Sequence, residues 1–92
     1  LDINSTGLNK EEVVIYPNPT DGNVTVTWKN NYDRLTLTIY DLQGRPVKTV
    51  QVESDVNEIQ VDLGEIAHGM YIFELKDPKN NMIVNRMRVL KQ

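Results

Sequence analysis

One histidine, thirteen carboxylates and no cysteine set the chemistry open to this chain of 92 residues. Nucleophilic hydrolysis needs a nucleophile, a base and an acid that orients the base. The only imidazole, His68, stands between Ala67 and Gly69, in a stretch that reads as a connection ahead of a strand. A histidine there is a turn residue before it is a base. Without a second histidine or any thiolate a zinc ligand set cannot begin. Asp21, Asp33, Asp41, Asp55 and Asp77 each fall in a turn cluster, where aspartate hydrogen-bonds its own backbone. A calcium ion at a sandwich end would draw on one or two of them, yet no spacing here matches a calcium loop. Phosphate-cradling glycine runs are absent, and no catalytic residue, metal or cofactor is implied.

Charge narrows the partners. The net charge of −3 argues against a nucleic-acid module, which is usually basic. Its distribution is uneven: residues 1–75 hold twelve acidic and five basic side chains, whereas residues 76–92 hold five basic and one acidic. A basic last hairpin with one solvated face explains this, and so does a basic tail gripped by something acidic or polar. Among the aromatics, Trp28 and Phe73 run in phase with aliphatic strand faces and belong to a core. Tyr32 and Tyr40 are left over for a surface role, sugar stacking included.

The elements that must position these residues are strands. The chain has room for one domain, and one this short buries only about 60–65% of its unfolded surface. No apolar run approaches the ~20 residues of a membrane span, and no basic-then-apolar leader starts the chain. Opening at Leu1 rather than methionine, the chain reads as a fragment. Residues 1–12 have no sustained period and read as a linker, with residues 13–92 as the folded domain. The boundary is Val13-Val14-Ile15-Tyr16 followed by Pro17-Asn18-Pro19-Thr20-Asp21-Gly22. That is a short strand stopped by a proline-framed turn, with Gly22 free to take a positive φ. Period-two alternation then recurs over residues 23–28, 34–40, 46–53, 58–63, 70–76 and 82–90. A parity change between Val47 and Val50 predicts a bulge or an edge. The last strand shows apolar residues on both parities, so either a bulge re-aims it or both of its faces are used. Seven short strands with turn signals every 8–12 residues predict an all-β fold, a small immunoglobulin-like antiparallel β-sandwich.

Four landmarks now stand in order: Tyr16-Pro17-Asn18-Pro19 with Gly22; Ile39-Tyr40-Asp41-Leu42-Gln43-Gly44-Arg45; Leu63 followed by Gly69-Met70-Tyr71; and the basic tail Arg88-Val89-Leu90-Lys91-Gln92. Together they closely resemble the type A C-terminal sorting domain of type IX secretion cargo proteins in the Bacteroidetes, over residues 13–92. The resemblance implies a signal, not a catalyst. Such a signal would direct an upstream cargo through the periplasm and across the outer membrane, to the cell surface or the medium. An outer-membrane shuttle protein would recognise Arg88, Val89, Leu90, Lys91 and Gln92, with Lys91 the leading charged contact. A surface sortase would cut the linker, at Ser5-Thr6-Gly7 on this sequence. Pro17, Asn18, Pro19, Gly22, Asp41, Gly44, Gly69 and Tyr71 would be framework positions. An exposed last strand would also offer backbone groups for strand addition. The competing expectation is an immunoglobulin-like adhesion or carbohydrate-binding sandwich appended to a surface enzyme. Neither class uses nucleic acid or spans the membrane.

Overall fold

The computed structural model describes residues 13–92. The expected linker at 1–12 and the cleavage region at Ser5, Thr6 and Gly7 lie outside the described residues. Seven strands follow in order: β1 (Val13–Tyr16), β2 (Asn23–Trp28), β3 (Leu35–Tyr40), β4 (Pro46–Val52), β5 (Glu58–Asp62), β6 (Gly69–Asp77) and β7 (Met82–Lys91). No described residue is helical. The strands form a three-stranded sheet, β1-β2-β5, and a four-stranded sheet, β4-β3-β6-β7, with every ladder antiparallel.

Alternation builds the core. Val24, Val26, Trp28 and Val61 turn inward from the smaller sheet, and Leu35, Leu37, Ile39, Tyr71, Phe73 and Leu75 from the larger. Their intervening neighbours on β3, Thr36, Thr38 and Tyr40, are only half-buried on the outer face. Two β-sheets each apolar on one face have no stable option but to close on each other. Trp28 and Phe73 are both core residues, as their phase predicts. Tyr32 is not left over: it is partly buried and packs against the core.

The strand allocation refines the immunoglobulin-like expectation. In the constant-type arrangement the fourth strand joins the sheet of strands 1, 2 and 5; here β4 pairs with β3. The short turn after Tyr40 is the cause, because it returns the chain directly beside β3 and leaves the crossing between sheets to residues 53–57. Both expected irregularities resolve as bulges. Ile39 faces Lys48 while Tyr40 faces Pro46, so Val47 is the extra residue, and it is exposed. Leu75 faces Asn85 while Lys76 faces Ile83, so Val84 is the extra residue on β7. That second bulge turns Val84 into the core while Met87 and Val89 also face inward, which accounts for the mixed parity of the strand.

Candidate recognition site at one end of the sandwich

Tyr16 ends β1 at the end of the sandwich where β7 finishes, and the proline turn lies against the outer edge of β7. Pro17 and Pro19 carry no amide hydrogen, so the backbone there has little to donate. The Asn18 side chain does it instead. Its Nδ2 donates to the Arg88 carbonyl at 2.8 Å, and its Oδ1 accepts from the Leu90 amide at 3.0 Å. A carboxamide has the donor and acceptor of a peptide group, and here it occupies a ladder position opposite Val89. Thr20 takes the next one in backbone form. Its N–H donates to the Leu90 carbonyl at 2.9 Å and its carbonyl accepts from Gln92 N–H at 2.8 Å, a parallel bridge to Lys91. Thr20 is 1% exposed, and its hydroxyl donates to the Asn23 carbonyl while accepting from Gly22 N–H. Gly22 keeps an ordinary φ: among the described residues the positive-φ glycines are Gly44 and Gly69. The Thr20 hydroxyl holds the turn in place of a left-handed residue.

The end of β7 is also held from inside. Lys91 shares the parity of Val89 and is 7% exposed. Its Nζ donates to the Ile66 carbonyl at 2.5 Å and the Gly64 carbonyl at 3.4 Å. A buried ammonium is costly unless its hydrogens find acceptors, and the irregular connection from Leu63 to Gly69 supplies them. That connection is fixed at two further points. Leu63 N–H donates to the Gly22 carbonyl at 2.6 Å, and the Tyr71 hydroxyl donates to the Ala67 carbonyl at 2.7 Å. Gly69 opens β6 at φ 148°, a backbone conformation that residues other than glycine rarely adopt, directly opposite Lys91.

The Asp41 turn closes the same end. Asp41 Oδ1 accepts from the amides of Gln43 and Arg45, both at 2.9 Å, and Oδ2 accepts from Arg45 Nε at 2.9 Å. These donors, the Arg45 amide first and then its guanidinium and the Gln43 amide, hold the Asp41 carboxyl below its usual range against the opposing effect of burial. Gly44, at φ 85°, makes the reversal. Tyr40, just before the turn, lies opposite Ile72, and Ile72 lies opposite Arg88. The turn and the tail therefore sit at the two sides of one row across the larger sheet.

Four segments some twenty residues apart in sequence thus meet at one end of the fold. The residues 88–92 differ among themselves: Arg88 and Gln92 are exposed, Leu90 is half-buried, and Val89 and Lys91 are buried. The last-strand edge expected to be open is covered over these residues by Asn18 and Thr20. Nothing in the sequence signalled the Thr20 contact, whereas the inward turn of Lys91 was readable from its parity with Val89. Among the described residues no cluster of three or more His, Asp or Glu side chains is placed to hold a metal ion.

The family model described as "Secretion system C-terminal sorting domain" matches residues 14–89. The chain belongs to that family. Among curated proteins none matches the chain. This sorting domain is the signal for type IX secretion, which directs export to the outer membrane or cell surface, and its role is not catalytic. The adhesion or sugar-binding expectation is not favoured. Tyr32 packs against the core, and half-buried Tyr40 donates its hydroxyl to Glu74 at 3.4 Å.

Proposed function

We propose that this sorting domain is read by an outer-membrane shuttle protein through residues 88–92, after crossing the periplasm at the end of a larger cargo. A surface sortase then cuts the linker at 1–12, in the region of Ser5, Thr6 and Gly7. The observation that carries the tail assignment is the convergence of the proline turn, the Asp41 turn, the Gly69-Met70-Tyr71 start of β6 and the end of β7. A rigid frame around one strand end presents a fixed shape to a receptor at little entropic cost. Within it Arg88 offers the exposed charge, Leu90 a half-buried apolar contact and Gln92 a polar one. Lys91 acts from beneath, seating the strand end, and would meet a receptor only when that end lifts. Pro17, Asn18, Pro19, Gly22, Asp41, Gly44, Gly69 and Tyr71 build the frame.

The test is a reporter with an N-terminal export signal and residues 1–92 at its end, expressed in a host with a type IX system. The intact fusion reaches the surface. Deleting Lys91 and Gln92, or residues 88–92, leaves it in the periplasm. Unchanged surface display after the longer deletion overturns the assignment of the tail.

A further inference from the structure

The chain itself closes the outer edge of β7 at its end, and one step further back no described residue does. Thr20 fills the parallel-ladder position opposite Lys91, and the Asn18 carboxamide fills the one opposite Val89. The next position lies opposite Met87. By the alternation of a strand, it is framed by the Arg86 carbonyl and the Arg88 amide hydrogen, which face the same outer edge as the Arg88 carbonyl and Leu90 amide that Asn18 engages. The cover stops short of it for a local reason. Upstream of Asn18 comes a proline without an amide hydrogen, and upstream of that Tyr16 already belongs to β1 in the other sheet.

A cleft of about 590 Å³ opens at this position. Its apolar lining comes from Ile15, Ile72 and Met87. Arg86 and Arg88 stand in it with two asparagines, and among the described residues no carboxylate lines it. The two cations differ. Arg86 Nε is bonded to Glu74 at 3.0 Å, whereas the Arg88 guanidinium makes no hydrogen bond or ion pair with any described residue.

We propose that this cleft takes an extended peptide segment of a partner protein, running parallel to β7 and carrying a carboxylate for Arg88. The direction follows from which groups are engaged. An antiparallel residue exchanges bonds with the N–H and C=O of one residue. Arg88 has already given its carbonyl to Asn18, and the Arg86 amide is held by Asn85 Oδ1 at 2.8 Å. A parallel residue instead takes the C=O of one residue and the N–H two places on, here Arg86 and Arg88. Asn18 and Thr20 already show that pattern on the same edge. Strand addition then supplies affinity through the backbone, and the charge supplies selectivity. The inference rests on the reading of β7 as the recognition element and names the chemistry of its partner.

The experiment titrates the ¹⁵N-labelled chain of residues 1–92 with a capped hexapeptide of alternating valine and glutamate. The Arg88 amide shifts saturably and its hydrogen exchange slows, while β4 amides stay put. The same peptide with lysine for glutamate binds roughly fivefold more weakly, the scale of one exposed ion pair. Arg88→Gln levels the two peptides. Absence of a saturable Arg88 shift, equal binding of both peptides by the unaltered chain, or shifts centred on β4 overturns the proposal. Reporter export separates it from the reading beneath it. Export lost on deleting residues 88–92 with no peptide binding sinks the cleft alone. Peptide binding with export untouched by that deletion sinks the tail reading and leaves the cleft as a site for another partner.

Discussion

The two ends of the sandwich are built on opposite plans. At the end that carries the four landmarks, the ties outside the Asp41 turn join segments far apart in sequence: Asn18 reaches Arg88 and Leu90, and Lys91 reaches Gly64 and Ile66. At the other end the turns mostly hold themselves. Asp77 Oδ1 accepts from the amides of Lys79 and Asn80, two and three residues on. Asp33 and Lys79 meet there in an ion pair with both side chains largely exposed. That pair and Asn57 are the exceptions: the pair spans 46 residues, and Asn57 Nδ2 reaches the carbonyls of Trp28, Lys29 and Asn30 across adjoining loops. Self-contained turns can loosen one at a time. Ties across the sheets make β1, β7 and the 63–69 connection succeed or fail together, which suits a surface that must be presented as one shape.

The comparison breaks most directly at Lys91. Lys91→Ala removes the donor for two carbonyls and empties the space of its four-carbon stem. Hydrogen bonds to charged groups contribute about 1.5–3 kcal/mol, so urea denaturation is expected to show a loss in that range. Lys91→Met, which keeps the stem, recovers the packing part and not the polar part. A loss at Lys91 smaller than that from Asn57→Ala at the opposite end would contradict the contrast drawn between the two ends.

Asn18→Ala comes next. It deletes two hydrogen bonds of ordinary strength, about 1–2 kcal/mol together, and exposes the Leu90 amide to faster hydrogen exchange. Asn18→Asp sharpens the result, because it keeps the acceptor for Leu90 N–H and sets a carboxylate against the Arg88 carbonyl. It should protect the Leu90 amide yet destabilise the strand end. Asn57→Ala, with a partly exposed carboxamide that spreads two hydrogens over three carbonyls, is expected to cost about 1 kcal/mol. Its exchange effects should stay within residues 28–31 and 57–58. Acceleration reaching β7 amides would show the second end to be as coupled as the first.

Much of this architecture is legible in the sequence, because alternation is a local signal. Val24, Val26 and Trp28, or Leu35, Leu37 and Ile39, declare their faces within one strand, and the parity break at Val47 announced the bulge. What escaped was the edge of β7. Asn18 lies 70 residues from Arg88 and 72 from Leu90, and a carboxamide standing in for a peptide group leaves no periodic trace. A proline turn read as punctuation is in the fold the cover of that strand. Lys91 carries two signals in conflict: its charge points to solvent, and its parity with Val89 points to the core. Parity won because the 63–69 connection turns two carbonyls toward the ammonium.

The smallest effect separates the two acidic turns. Asp33 and Asp41 both have their carboxyl groups held below the ordinary value of 3.8, but by different partners. For Asp33 the chief cause is the hydrogen bond from Lys79, joined by its charge; for Asp41 it is the Arg45 backbone amide. A carboxyl whose folded value is depressed adds stability that is present above the unfolded value and is lost as pH falls through the folded one. Both turns should therefore weaken on acidification below about pH 4 and neither on raising the pH toward 7. Salt tells them apart. The Debye length falls from about 10 Å at 0.1 M to about 3 Å at 1 M, which screens an exposed ammonium but does not remove a backbone N–H from an Asx turn. Following the two carboxyl carbons by NMR from pH 2 to 6, Asp33 is expected to return toward 3.8 in 1 M salt while Asp41 stays depressed. Equal return of both would mean that the Asp41 turn is held by the Arg45 charge rather than by its own backbone, and that the landmark end is no better built than the other at this corner.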